Sequence, residues 1–309
     1  MLTLPSFAKI NLCLRVLERR GDGFHEVRTV LQSVDLSDQL SFEPIRQGRI
    51  DFQDPLGLPD GENLVIRAAR MLQSQGRITG GARIVLRKEL PIGAGLGGGS
   101  GNAAVTLLGL NQVWGLRWPL RRLEVLAKAL GSDVPFFLFG GSALAVGRGD
   151  EVYPLADMPE THLVVVCPPQ TVSTRKAYQR LNLMLTKGCN EYRIQRFCEE
   201  LGSGRVASEW IFNDFEESVF RRFPEVREAR DALLAAGCPA ALMCGSGSSV
   251  FGLAGSRAGA LRVRDRLSDL AWPTFVASSL SRSAYRERLA ECGLERNVDR
   301  GQGSGVRGQ

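Results

Sequence analysis

The chain is 309 residues long, and 44% of them are hydrophobic and 23% charged, a composition typical of a folded globular protein that excludes disordered and fibrous classes. This length is enough for two globular domains of ordinary size. No apolar stretch reaches the roughly 18–20 residues that a membrane-spanning helix needs, and the first residues lack the basic and apolar regions of a secretory signal. We therefore expect a cytoplasmic protein without a membrane partner.

The formal net charge of +6 favours a solvated basic surface over a nucleic-acid-binding one, because acidic residues are interspersed among the basic ones, as in FRRFPEVREARD from Phe220. We therefore expect no nucleic-acid partner. The seven cysteines are scattered without CxxC spacing, which predicts reduced thiols. With His25 and His162 as the two histidines, a transition-metal site built from protein ligands alone is not expected.

Taken in chain order, the patterning first predicts strands at 8–16, 27–34 and 39–44, a loop at 35–38, a helix at 63–75 with Asn63 as its N-cap, and a strand at 82–87. Helices follow at 102–114, 120–130 and 134–139, and then a strand at 142–146. Further strands are predicted at 162–167, 241–243, 250–253 and 274–278, and further helices at 174–181, 194–201, 226–236 and 256–268. Because strands and helices intermingle without regular βαβ alternation, the pattern indicates an α+β fold.

A change in composition at 154–160 predicts a linker between two domains. The sequence thus divides into an N-terminal domain at 1–153, a C-terminal domain at 161–285, and a disordered tail at 296–309 that is rich in glycine and charge. No oligomeric state is predicted.

The glycine-rich segment PIGAGLGGGSG is the strongest functional motif of the chain. So many glycines are costly in conformational entropy, and a tight turn needs one or two of them. The density is typical of a backbone that approaches an anion closely, completed by the N-terminus of the following helix. The motif therefore predicts a phosphate-binding loop made of Pro91, Ile92, Gly93, Ala94, Gly95, Leu96, Gly97, Gly98, Gly99, Ser100 and Gly101.

Three common nucleotide-binding motifs do not fit this loop. The GK[ST] ending of a P-loop is absent. GAGLGG satisfies GxGxxG, but Pro91 separates it from the preceding strand, and no acid lies about 20 residues later to hold a ribose, since the first downstream acid is Glu124. Protein-kinase HRD and DFG motifs do not follow.

PIGAGLGGGSGNAA instead resembles the phosphate loop of the GHMP kinase superfamily. Three further blocks resemble that superfamily in the same order, namely FAKINLCLRVLERRGDGFHEVRTVLQSVDLSDQL, GSDVPFFLFGGSALAVGRGD and MCGSGSSVFGL. The resemblance implies a two-domain α+β architecture in which ATP and a small-molecule substrate meet between the domains. It also implies ATP-dependent phosphorylation of a hydroxyl group with Mg²⁺, whose protein ligands are left unassigned.

The resemblance places the catalytic pair at Lys9 and Asp133. Asp133 lies in the GSDVPFF block, where local sequence alone would equally allow a helix N-cap. Lys9 stands alone among apolar residues in SFAKINLCL, and without the resemblance it would be interpreted as a surface residue of an edge strand. Together they imply a carboxylate base kept ionised by a neighbouring ammonium group.

The resemblance also implies a substrate site for a cytidine-bearing alcohol. Asn11 faces the same side of its strand as Lys9 and is expected to contact the substrate. Phe24 and His25 are expected to form the cytidine pocket, with Tyr178 closing the other face of the base, although aromatic residues at these positions are also compatible with ordinary core packing.

The sequence departs from the pattern of the superfamily branch at three positions. Phe24 replaces a tyrosine and loses a hydroxyl, Gly101 replaces a second serine in the loop, and Cys244 replaces a serine before Gly245–Ser246–Gly247. Two other functions stay open from the sequence. One is a sibling GHMP kinase that acts on homoserine or a mevalonate-type alcohol, and the other is a nucleotide-binding regulator without turnover.

Overall fold

The computed structural model of the protein describes residues 1–53, 57, 59, 61–181, 191–204, 206 and 208–295. The described strands are β1 (Leu2–Arg19), β2 (His25–Ile45), β3 (Ile50–Gln53), β4 (Gly81–Arg87), β5 (Ser142–Val146), β6 (Glu151–Pro154), β7 (His162–Val166), β8 (Phe212–Asn213), β9 (Ala241–Met243), β10 (Val250–Ala254) and β11 (Thr274–Ser278). The described helices are α1 (Leu64–Gly76), α2 (Gly98–Val113), α3 (Leu120–Leu130), α4 (Phe136–Phe139), α5 (Thr174–Arg180), α6 (Glu191–Gly202), α7 (Glu216–Arg222), α8 (Pro224–Ala235), α9 (Arg257–Arg266) and α10 (Arg282–Glu291). The predicted tail at 296–309 lies outside the described residues.

The first sheet is organised around the long β1–β2 hairpin. Along one edge β2 pairs with β1, and along the other it pairs with β4 at 39–45 and with β5 at 29–32. The sheet runs β3-β4-β2-β1-β8, and β6 is added beyond β5. The second sheet is antiparallel, in the order β11-β7-β10-β9. The mixture of mostly antiparallel sheets with interspersed helices confirms the predicted α+β fold.

Helix α2 lies at the centre of the first half of the molecule. Residues 101–111 are all buried, as expected for a helix that is apolar around its whole circumference. The helix packs closely on the sheet, because a Cβ on Gly109 would come within 2.5 Å of the Phe42 ring. This close packing fixes where the N-terminus of α2 points, and that terminus carries the glycine loop.

The chain crosses between its two halves more than once. β8 pairs in parallel with β1, and Asp214 donates its N–H to the Leu14 carbonyl. Helix α10 packs back on the core of the first half, where the buried Tyr285 donates its hydroxyl to the Phe137 carbonyl over 2.6 Å. The domain boundaries expected from the sequence stay a prediction, and these crossings hold the two halves together.

The loop predicted at 35–38 is wrong, because β2 continues through it. The two acidic residues there accept hydrogen bonds from distant neighbours in the fold. Asp35 accepts the N–H of Ser278 at 2.7 Å, and the fully buried Asp38 accepts the N–H groups of Glu89 and Leu90. The sequence alone gave no indication of these distant partners.

Other elements differ from the bounds predicted from the sequence, or were not predicted at all. Helix α2 begins four residues before the predicted start at 102, because the last glycines of the loop form its first turn and carry no apolar periodicity. Strands β3, β6 and β8 and helices α7 and α10 were not predicted. Asn63 does cap α1, since its Oδ1 accepts the N–H of Val65 at 2.9 Å. Among the described residues, no helix combines the length and the apolar character required to cross a bilayer.

Candidate active site

A cleft of about 1190 Å³ brings the predicted site together. Its volume exceeds the roughly 300–1,000 Å³ of a pocket for one drug-sized molecule. Its walls include all the predicted site residues except Gly101, namely Lys9, Asn11, Phe24, His25, Asp133, Tyr178 and the loop from Pro91 to Ser100.

The glycine loop folds as a series of left-handed turns that end at the N-terminus of α2. Gly93, Gly95 and Gly97 have φ angles of 66°, 81° and 74°, a region that favours glycine. Gly97 is the N-cap of α2, and no side chain caps the helix there. An uncapped helix N-terminus at a cleft wall presents N–H groups and partial positive charge to an anion. This geometry suits a nucleotide phosphate.

The loop also needs glycine because buried side chains of other segments approach it closely. A Cβ on Gly97 would come within 2.6 Å of Phe137 and 3.0 Å of the Lys9 side chain. The N–H of Lys9 bonds to the carbonyl of Leu96 over 3.0 Å. The phosphate loop and the strand that carries Lys9 are therefore a single packed unit.

Gly101 is the one predicted loop residue that the structure keeps away from the cleft. Its N–H is donated to the Gly97 carbonyl over 2.8 Å, within the helix. A Cβ at this position would point to the Ser6 hydroxyl at 2.9 Å and the Phe7 carbonyl at 3.1 Å. A serine here would consequently face the protein interior, so the glycine at this position does not remove a hydroxyl from the phosphate site.

A buried polar cluster that was not predicted supports the loop from behind. The carboxylate of Asp38 is fully buried and accepts hydrogen bonds from Lys88 Nζ at 2.8 Å and Asn102 Nδ2 at 3.0 Å. Lys88 also donates to the carbonyl of Leu90. Its ammonium lies beside Gly98, at 3.2 Å from the position of a Cβ there. The cluster therefore places a buried, hydrogen-bonded ion pair next to the first turn of α2.

Lys9 and Asp133 meet in the cleft, as the resemblance implies. Lys9 Nζ lies 3.5 Å from Asp133 Oδ2, and the Lys9 residue is 3% exposed, whereas the Asp133 side chain is 41% exposed. A buried ammonium thus lies beside a carboxylate that is accessible to a substrate in the cleft. The interpretation of Lys9 as a surface residue is wrong, because β1 is an interior strand.

Asp133 occupies a turn before α4 and does not cap that helix. Pro135 is the N-cap of α4, and no side-chain hydrogen bond caps it. The capping alternative left open by the sequence is therefore not realised, and the carboxylate is turned toward Lys9 and the cleft.

Asn11 orients Lys9. Its Oδ1 accepts a hydrogen bond from Lys9 Nζ at 2.8 Å, and its Nδ2 donates to Thr29 Oγ1 at 2.8 Å. Thr29 in turn donates to the carbonyl of Cys13. Asn11 is only 2% exposed, so the structure gives it a positioning contact with Lys9, while the expected substrate contact stays a prediction.

The predicted aromatic residues gather at the far end of the cleft. Phe24 is 51% exposed and presents its ring to solvent. The rings of His25 and Tyr178 stack at 5.0 Å between centroids and 22° between planes, and Tyr178 meets Phe215 edge to face. His25 and Tyr178 are thus in contact with each other. This arrangement offers one aromatic surface, with Phe24 beside it.

Two pKa shifts describe this end of the cleft. Burial, assisted by the charge of Arg19, lowers the pKa of His25 below its usual value, which favours the neutral imidazole near neutral pH. Burial raises the pKa of Tyr178, and the negative charge of Asp133 adds to this effect. A neutral imidazole can both donate and accept a hydrogen bond, as recognition of a base edge requires.

The segment 244–249 closes the cleft opposite the glycine loop. Gly245, Ser246 and Gly247 line the cleft, and Ser249 donates its N–H to the carbonyl of Ala94 over 3.0 Å. Cys244 is fully buried, and burial raises the pKa of its thiol, so the exchange of serine for cysteine leaves the cleft surface unchanged.

Two residues that sequence reasoning missed hold this segment in place. Asn213 Nδ2 donates to the carbonyls of Met243 at 2.8 Å and Gly245 at 2.7 Å. Glu216 accepts the N–H of Met243 at 2.8 Å, and burial raises the pKa of its carboxyl to about 7. Their only sequence signal is the mostly polar run NDFE at 213–216, which local patterning interprets as a turn.

Glutamine in place of Glu216 is expected to stabilise the protein at alkaline pH. Because the folded state binds the Glu216 proton more tightly than the unfolded chain, stability falls as the pH rises from the ordinary glutamate range through about 7. Glutamine keeps the acceptor for Met243 without the charge. We expect a gain on the order of 2 kcal/mol in unfolding free energy at about pH 8 that shrinks at about pH 5.

Urea unfolding at both pH values measures this difference. Glu217→Gln, on the same helix at an exposed position, is the matched control and should shift stability by less than about 0.5 kcal/mol. An equal pH dependence in the parent and in Glu216→Gln would contradict the role of the buried carboxyl.

The donors at the cleft fit a metal ion that arrives with a nucleotide. The described residues contain no group of three or more His, Cys, Asp or Glu side chains that could hold an ion. The cleft offers the carboxylate of Asp133 and the hydroxyl of Ser100. Mg²⁺ commonly takes one or two protein oxygens and completes its shell with phosphates and water, so this donor set is sufficient for it.

Comparisons with known proteins agree with the geometry. The GHMP kinases N terminal domain matches residues 63–141, and the GHMP kinases C terminal domain matches residues 193–271. The chain is 43% identical over 290 residues to a 4-diphosphocytidyl-2-C-methyl-D-erythritol kinase of Solibacter usitatus, covering 92% of this chain and 90% of the relative. It is 40% identical to the enzyme of that name from Moorella thermoacetica, covering 91% of this chain and 99% of the relative.

Solved structures place the fold in the same group. A crystal structure of 4-(cytidine 5'-diphospho)-2C-methyl-D-erythritol kinase superposes with a TM-score of 0.78 at 36% identity, covering 90% of this chain and 99% of the other. A mevalonate kinase from L. major superposes with a TM-score of 0.68 at 14% identity, covering 91% of this chain and 96% of the other, and shares the fold alone. The chain therefore belongs to the GHMP kinases and, within them, to the 4-diphosphocytidyl-2-C-methyl-D-erythritol kinase family.

Proposed function

We propose that the protein transfers the γ-phosphoryl group of ATP to the 2-hydroxyl of 4-diphosphocytidyl-2-C-methyl-D-erythritol, a step in isoprenoid precursor synthesis. The observation that carries this proposal is the position of the Lys9–Asp133 pair, in one cleft with the glycine loop and the aromatic surface of Phe24, His25 and Tyr178. A phosphate donor and a base-bearing acceptor can therefore reach the same carboxylate.

In this reaction the protein mainly positions the reactants and neutralises charge. The N–H groups at the start of α2 receive the phosphates of ATP. Asp133 accepts the proton of the attacking hydroxyl, and Lys9 stabilises the negative charge that develops on that oxygen. The oxygen bonds to the γ-phosphorus as the bond to the β-phosphate oxygen breaks. The products are the 2-phosphate, ADP and a proton, which leaves Asp133 for solvent.

The same proposal includes ATP as the phosphoryl donor, Mg²⁺ as its counter-ion and a cytoplasmic location. Mg²⁺, when bound, neutralises charge on the phosphate oxygens. Ser100 is the cleft hydroxyl within the glycine loop that could contact it. Lys9 and Lys88 lie beside the loop, each paired with a carboxylate, Asp133 and Asp38.

The deciding experiment follows ADP release and identifies the product by ³¹P NMR with three acceptors, the cytidine substrate, homoserine and mevalonate. Turnover with the cytidine substrate and a new phosphomonoester at the 2-position is the expected result. Faster turnover of homoserine or mevalonate would indicate a sibling activity. ATP binding without turnover of any acceptor would indicate a nucleotide-binding regulator.

A further inference from the structure

We propose that Arg148 binds the diphosphate of the cytidine substrate. This inference rests on the proposed function and deepens it, because it assigns the part of the substrate that lies between the base and the reacting hydroxyl. Neither the glycine loop nor the Lys9–Asp133 pair accounts for that part.

The turn 147–150 connects the two ends of the acceptor site. At one end, Gly147 donates its N–H to Glu26 at 3.1 Å, and Val27 donates to the Gly147 carbonyl at 2.8 Å, directly after the Phe24–His25 pair. At the other end, the position of a Cβ on Gly149 lies 3.8 Å from Cβ of Ser132, the neighbour of Asp133. Arg148 therefore lies on the cleft wall between the base pocket and the catalytic carboxylate.

The substrate has its parts in the same order. A cytidine against Phe24, His25 and Tyr178 and a hydroxyl at Asp133 must be joined through the two phosphates. These phosphates carry negative charge, and a planar guanidinium can bind such oxygens through two parallel N–H donors. Arg148 lies between those two ends. Its guanidinium has the positive charge and the planar shape to bind the two phosphates.

Arg148 is also held ready for such a contact. Its Nη2 lies 2.6 Å from Oδ2 of the buried Asp150, and its guanidinium carbon lies 5.1 Å from the centroid of the Phe24 ring. The other two arginines of the described cleft lining, Arg19 and Arg175, are exposed, whereas the Arg148 side chain is 35% exposed. A pre-organised donor binds more tightly, because less side-chain entropy is lost on binding.

The arrangement also explains how Phe24 serves in place of tyrosine. The guanidinium lies over one face of the ring, where the ring quadrupole attracts a cation, and this leaves the other face for a base. The nearby Asp22 is bonded to the Phe24 N–H at 3.1 Å, which lowers its pKa, and to Arg20 Nε at 3.2 Å, and the charge of Arg148 adds to the lowering of the Asp22 pKa without a hydrogen bond to it. The Arg148 N–H groups that are not bonded to Asp150 can face the cleft.

The test measures binding of CDP and of cytidine to the parent, Arg148→Gln and Arg148→Lys by calorimetry. Glutamine keeps a donor for Asp150, so the variant is expected to fold, which thermal melting checks. We expect Arg148→Gln to weaken CDP binding about tenfold and cytidine binding less than about twofold, because the lost contact is a charge-assisted hydrogen bond. Lysine should restore part of the CDP affinity. KM for the cytidine substrate should rise about as much, while KM for ATP stays constant.

Arg257→Gln, at an exposed position outside the cleft lining, is the matched control and should leave the CDP-to-cytidine ratio unchanged. An equal loss for CDP and cytidine in Arg148→Gln would overturn the proposal and leave Arg148 as a support for Phe24. Unchanged binding of both would overturn it as well. Failure of the proposed function has a different signature, namely a parent protein that neither binds CDP nor turns over the cytidine substrate.

Discussion

Asparagine in place of Asp133 is expected to lower turnover about a thousandfold while ATP binding survives. Asparagine has the shape of aspartate, but it can neither accept the proton of the hydroxyl nor balance the buried ammonium of Lys9, 3.5 Å away. The glycine loop offers backbone N–H groups to the nucleotide phosphates, so we expect ATP affinity not to depend on this side chain. Single-turnover ADP formation measures the chemical step, and titration with a fluorescent ATP analogue measures nucleotide affinity.

Asp269→Asn is the matched control, because Asp269 is exposed and outside the cleft lining. Its turnover should equal that of the parent. Lys9→Met is a second variant that keeps the volume of the buried side chain, and it should also lose most turnover. Full activity of Asp133→Asn would remove Asp133 from the mechanism. Loss of ATP affinity alongside turnover would show that the residue acts on the nucleotide site instead.

Sequence reasoning identified the candidate residues for catalysis and phosphate binding, but it did not identify the residues that hold them in place. The glycine loop lies in a short segment whose composition is unusual enough to be recognised locally, whereas Lys9 and Asp133 were identified through the resemblance to the GHMP kinases. Asn213 could not be identified in this way, because its importance depends on the carbonyls of Met243 and Gly245, 30 and 32 residues away. Long-range hydrogen bonds of this kind carry no local periodicity.

The error at 35–38 has the same origin. Four mostly polar residues between two apolar runs are typical of a loop, and local patterning cannot detect that Asp38 is bonded to residues 88–90 and to Asn102. Tertiary contacts therefore override propensity here. Arg148 was missed for a related reason, since its position next to Phe24 follows from the pairing of β2 with β5.

Alanine in place of Gly95 is expected to lower the unfolding free energy by about 3 kcal/mol and to weaken ATP binding at least about a hundredfold. Gly95 has a φ of +81°, which is unfavourable for a residue with a Cβ. In addition, the Cβ would come within 2.1 Å of the Cys244 carbonyl oxygen and 3.1 Å of the Gly247 carbonyl oxygen. These are backbone atoms that cannot rotate away, so the glycine loop must separate from the segment 244–249.

Gly99→Ala is the matched stability control for this variant, because it lies in the same loop but in the first turn of α2. A Cβ there meets only Leu64 Cδ1, at 4.0 Å, and we expect the unfolding free energy of Gly99→Ala to be unchanged or raised by up to about 1 kcal/mol.

Urea unfolding compares the stability of the two variants, and nucleotide titration measures the ATP affinity of Gly95→Ala. Equal stability of the two variants would show that the contact between the loop and residues 244–249 does not require glycine. A Gly95→Ala protein that is less stable but binds ATP normally would separate that contact from the phosphate site. The expected joint loss would show that the two segments form the nucleotide site together.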